Sequence, residues 1–74
     1  MNNVHTASEF SGSSNLRWVA HTANRRYSTW QSWLEDAQTG DTLAAKIADR
    51  CKESYIDFVK KYNGTPNEAA EAVQ

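Results

Sequence analysis

Leu34-Glu35-Asp36-Ala37-Gln38-Thr39-Gly40-Asp41-Thr42-Leu43-Ala44 holds, within a few residues, the chemistry that ends one helix and starts another. Gly40 has no Cβ and can adopt the left-handed conformation that closes a helix C-terminus. Asp41 or Thr42 can then offer a side-chain oxygen to the unpaired N–H groups of the next first turn. Thr39-Gly40-Asp41-Thr42 therefore predicts a tight interhelical turn. Glu35 and Asp36 sit near the negative end of the first helix dipole, a small cost that packing must offset.

An apolar stripe lies on each side of this turn. Leu16, Ala20, Ala23, Tyr27, Trp30, Leu34 and Ala37 precede it, and Ala44, Ala48, Cys51, Tyr55, Phe58 and Tyr62 follow it. Steps of three and four hold each set on one face of an α-helix. The first helix is expected to start after Ser13 or Ser14 as cap and to run to about Gln38. The second should run from about Thr42 to Tyr62, where Lys60 and Lys61 suit the dipole and Asn63-Gly64 terminates it. The fold class is all-α: an antiparallel helical hairpin of two long helices over residues 14–63.

Beyond Met1, residues 1–13 contain only Val4 and Phe10 as large apolar groups and read as a flexible N-terminal arm, with Phe10 a candidate anchor. Thr65-Pro66-Asn67-Glu68 has the form of a capping box with proline in the first turn. Residues 64–74 accordingly read as a short C-terminal helix or a frayed tail.

Chain reversal at Gly40 with Ala37 beside Ala44 sets Trp30 near Cys51, Ala23 near Phe58 and Ala20 near Tyr62. Large side chains then face small ones, which fills the interhelical space without voids. Ile47 and Val59 flank the second stripe and Val19 the first, so the apolar face is wider than a two-stranded seam requires. A core of 74 residues yields little net stability, and the single cysteine excludes an internal disulfide. Assembly is the expected remedy: the hairpin completes a bundle by dimerisation or partner binding.

The 8 Lys and Arg against 9 Asp and Glu give a net charge of −1, too small for a strong overall field. The distribution is less even than the sum. In the first helix Arg17, Arg25 and Arg26 precede any acid, whereas Lys46, Arg50, Lys52, Lys60 and Lys61 alternate with Asp49, Glu53 and Asp57. That second pattern is the spacing of surface ion pairs such as Asp57 with Lys61. No apolar run approaches the roughly 20 residues that span a bilayer, and Met1-Asn2-Asn3-Val4-His5 lacks the features of a secretory signal. A soluble, cytoplasmic protein with no membrane partner is expected, and the free Cys51 suits a reducing compartment.

Trp18, Thr22, Arg25, Thr29 and Trp33 form another stripe on the first helix, off the seam. Tryptophan and arginine are the side chains most enriched at binding hot spots. The candidate contact residues are Trp18, Arg25, Arg26, Thr29 and Trp33, and the expected function is a non-catalytic protein-binding module: an adaptor, inhibitor or regulatory subunit, itself a homodimer. The alternative is a small nucleic-acid-binding regulator that uses the Arg17, Arg25 and Arg26 face of a dimeric bundle.

A helix-turn-helix reading fails because Ala48 to Tyr55 contains no turn former where that motif bends. Catalysis finds no constellation either. His21 lies on the outer face, His5 in the arm, Cys51 within the core stripe, and Glu35 and Asp36 diverge around the helix. No glycine-rich phosphate loop or metal-ligand spacing occurs, so no cofactor or metal is implied.

Overall fold

The computed structural model describes residues 4–66. The expected C-terminal helix lies outside the described residues beyond Pro66. Among the described residues are two α-helices, α1 (Leu16–Gln38) and α2 (Thr42–Lys61), a 3₁₀ turn at Ala7–Glu9, and no strand. The helices pack against each other as an antiparallel hairpin.

Local chemistry explains each boundary. Asn15, one residue past the expected serines, caps α1 by accepting from the Trp18 N–H at 3.1 Å, and the Ser13 hydroxyl accepts from the Asn15 N–H at 3.1 Å. The apolar phase of α1 begins at Leu16, so the residue directly before it is the cap. At the other end Gly40 takes φ 98°, and its N–H reaches the Ala37 carbonyl at 3.1 Å. Asp41 then caps α2, its carboxylate accepting from the Ala44 N–H at 3.0 Å. The C-terminus of α2 closes with Asn63 at φ 64°, the Asn63 N–H on the Lys60 carbonyl and the Gly64 N–H on the Val59 carbonyl. This pair of bonds satisfies carbonyls that the helix leaves without partners.

The interhelical core is small against large, as the stripes require. Ala20, Ala23 and Ala48 are buried in one cluster with Trp30, Tyr55 and Phe58, and Ala44 is buried near the turn. Trp30 lies nearly parallel to Tyr55, with centroids 6.3 Å apart and 14° between planes, one turn along from the Cys51 position. Tyr27 meets both rings, at 5.4 Å from Tyr55 and edge-on at 5.6 Å from Trp30. Val19 and Val59 are fully buried, which makes them core members and not flanks, and Ile56 is buried with them. Cys51, expected inside the seam, is only half-buried.

The described part of the N-terminal segment packs onto the hairpin, with Phe10 as its anchor. His5 is 3% exposed and Phe10 4%, and both lie against the hairpin. The Asn24 side chain accepts from the His5 N–H at 2.9 Å and donates to the His5 carbonyl at 3.0 Å, pairing that residue's whole backbone. Farther along, the Ser11 N–H donates to the Tyr62 carbonyl at 2.9 Å and the Asn63 amide to the Ser11 hydroxyl at 2.9 Å. Phe10 fits because Gly64 is bare: a Cβ there would stand 2.8 Å from Phe10 Cδ1 and 3.0 Å from Val59 Cγ1. Burying such a ring contributes about 2 kcal/mol, against which the arm's ordering entropy works. Phe10 is a candidate anchor as an isolated large apolar residue, whereas the burial of His5 has no signature along the chain.

One flank of the seam is thus covered by the chain's own residues. The opposite flank is open. No helix among the described residues is long and apolar enough to cross a membrane.

Candidate functional site

On the open flank, α1 and α2 enclose a groove with a cavity volume of about 390 Å³. Thr22, Arg26 and Thr29 form one wall, and they share it because steps of four and three return to the same side of α1. Ile47, Cys51 and Ser54 form the other wall by the same spacing on α2. Arg25 and Arg50 stand on the two rims.

Arg26 is held in place. Its guanidinium donates to the Ser54 hydroxyl across the groove, and its central carbon lies 4.8 Å from the centroid of the Phe58 ring. The cation thus rests on an aromatic face, which orients the fork without using all of its donors. Phe58 also receives the edge of Trp18 at 5.9 Å and 72°. Trp18 remains 49% exposed, and Leu43, one turn before Ile47 on α2, is 65% exposed.

No carboxylate among the described residues pairs with Arg25, Arg26 or Arg50. The groove therefore gathers three positive charges around the apolar side chains of Ile47 and Cys51. The expected Asp57–Lys61 pair does not form either; the Lys61 ammonium instead lies 5.5 Å over the Tyr62 ring.

Of the residues singled out from the sequence, Arg25, Arg26 and Thr29 meet at this groove, and Trp18 joins it through Phe58. Trp33 packs partly buried against the core. Arg17 is apart from it, in a cleft of about 600 Å³ where α1 residues including His21 and Asn24 face Thr6 and Ala7. Arg25 borders both hollows, so Arg17, Arg25 and Arg26 straddle two surfaces and do not make one patch. Sequence reasoning missed Arg50 and Ser54. Interleaved acids made Arg50 look like part of a solvated face, although the spacing of Ile47, Arg50 and Ser54 already placed them together.

A polar cluster also formed where none was expected. The imidazole of His5 lies 3.2 Å from Glu9 Oε1 through Nδ1 and 2.6 Å from the Tyr55 hydroxyl through Nε2. A carboxylate at Glu9 assigns the proton to Nδ1, leaving Nε2 to accept from Tyr55. Desolvation pushes the Glu9 carboxyl up, but the Thr6 N–H, the His5 ring and the Thr6 hydroxyl outweigh it and hold the group below its ordinary range. Tyr55 is wholly buried, so no substrate reaches its hydroxyl, and the cluster acts as a fastening for the arm. Among the described residues no group of three His, Cys, Asp or Glu is placed to hold a metal ion.

No protein-family model, curated protein or solved structure matches this chain.

Proposed function

We propose that this chain is a non-catalytic protein-binding module, an adaptor, inhibitor or regulatory subunit, whose open groove takes an acidic, partly apolar segment of another protein. One observation carries the reading: Arg25, Arg26 and Arg50 line one groove with Ile47 and Cys51, and no carboxylate of the described residues pairs with them. Guanidinium forks match carboxylates in bidentate geometry, and desolvation beside Ile47 and Cys51 strengthens each such bond. Arg26 is already oriented by Phe58 and Ser54, so less side-chain entropy is lost on binding.

Charge also separates this reading from its competitors. A symmetric contact between two open flanks would set the arginines of one copy against those of the other, which favours a different protein over a second copy. A nucleic-acid backbone calls for a continuous basic tract, whereas Arg17 lies in the other cleft. The setting that suits the free Cys51 is the reducing cytoplasm.

The test places a photoreactive side chain at Thr29, on the groove wall, or at exposed Lys46, outside it. Thr29 should capture an acidic protein segment from the native host, Lys46 should not, and Arg50→Glu should abolish the capture. Equal capture from both positions, or capture of nucleic acid at Thr29, would overturn the reading.

A further inference from the structure

We infer that the occupant of this groove is an amphipathic α-helix of the partner, laid along α1 and α2 to complete a three-helix bundle, with two carboxylates one turn apart beside an apolar stripe. This rests on the protein-binding reading above and specifies the shape and charge spacing of the segment bound.

The spacing of the arginines fits a helical occupant. Arg26 reaches across to Ser54 and Phe58, so its guanidinium lies at the α2 wall, and Arg50 stands four residues before Ser54 on that helix. At a helical rise of about 1.5 Å per residue Ser54 and Arg50 are about 6 Å apart along the groove. In a partner helix laid alongside, carboxylates at i and i+4 have the same spacing of about 6 Å.

The covered flank supplies the contrast. There the extended arm needs partners for its main chain, and finds them in the Asn24 amide around His5 and the Tyr62 carbonyl at Ser11. The open groove has no side-chain amide among its lining residues; it presents hydroxyls, guanidiniums and apolar groups. An extended occupant would depend on water and on scattered hydroxyls for its main-chain partners, whereas a helix satisfies its own. The wall residues recur once per turn, which makes the holes that a third helix fills with its side chains. Exposed Leu43 and Phe58-bound Trp18 mark the two ends of the apolar surface. Leu43 to Phe58 spans about 22 Å of α2, room for about four turns of a partner helix.

The decisive experiment uses the full chain and a blocked peptide of about 16 residues, with leucines at alternating three- and four-residue steps and two glutamates one turn apart beside them. A control peptide has the same residues in a two-residue alternation, and another carries proline at its centre. Binding is read by fluorescence anisotropy of the labelled peptide. The helical peptide should bind at least about tenfold tighter than either control, a ratio within the reach of a few buried contacts. Arg50→Glu should lose about tenfold, and a peptide with lysine at one glutamate position should regain affinity for that variant alone. Arg50 is exposed and has no partner among the described residues, so the variant tests contact and not folding. Equal binding of all three peptides overturns the helical occupant while leaving protein binding intact. Failure of every acidic peptide at low salt, with a single-stranded oligonucleotide bound instead, overturns both.

Discussion

The Nε2 atom of His5 lies 2.6 Å from the Tyr55 hydroxyl across fifty positions of sequence, in a site that is almost wholly buried. Tyr55 also stacks on Trp30 and contacts Tyr27, so one side chain joins the interhelical core to the N-terminal arm. The arm is thereby fastened to the hairpin through a side chain of the hairpin's own core.

Tyr55→Phe should destabilise the fold by about 1–3 kcal/mol, because it keeps the ring packing but strands a buried imidazole nitrogen. Thermal unfolding gives the magnitude, and hydrogen exchange gives the location. Amides of residues 4–13 should lose protection first, while α1 and α2 retain theirs; uniform loss would show that the arm is not fastened at this point.

Glu9 sets a pH dependence of defined sign. Its folded-state carboxyl lies below the ordinary value of 4.5, so it contributes stability fully above that value and loses it as pH falls through the lowered one. Glu9→Gln should unfold at a lower temperature than the parent at neutral pH, and the two curves should converge in acid. Parallel curves down to the lowest accessible pH would refute the coupling.

Gly64→Ala should cost about 1–3 kcal/mol, since the added methyl would meet the Phe10 ring and Val59. The penalty is specific to that approach. In a Phe10→Ala background the same substitution should cost less, and a double-mutant cycle by denaturant unfolding measures the difference. Strict additivity would mean that the ring does not rest on the glycine.

Arg26→Ala should cost about 1 kcal/mol of stability through its lost contacts with Phe58 and Ser54, while Arg50→Ala should stay within about 0.5 kcal/mol of the parent. Both should weaken partner binding. Circular dichroism against temperature separates the two effects, and a large stability loss from Arg50→Ala would place that residue in the fold and not on the binding surface.

Trp18→Ala should retain helical circular dichroism, because half of the ring faces solvent and its inner edge meets only the rim of the core at Phe58. Collapse of the helical signal would show instead that the tryptophan holds α1 to α2.

The hairpin itself was legible along the chain because its determinants are local or periodic. Gly40 turns the chain through its own φ preference, Asp41 caps within three residues, and the stripes repeat at the helical period. Their facing surfaces follow from antiparallel connection through a short turn. Arg25, Arg26 and Thr29 could be grouped for the same reason, since they share one helix.

What only the tertiary structure decided involves residues that no local period connects. Phe10 and His5 have no neighbours of their kind, and they become buried only once Gly64, Val59, Tyr55 and Asn24 have been assembled into a flank that accepts them. Arg50 reads as a solvated charge beside Asp49 and Glu53 until α2 is laid against α1, when its rim position joins that of Arg25 across the groove. Helix formation depends on neighbours three and four positions away, which a chain displays directly. The choice of which flank is closed and which stays open depends on contacts fifty residues apart, and those exist only after the helices have packed.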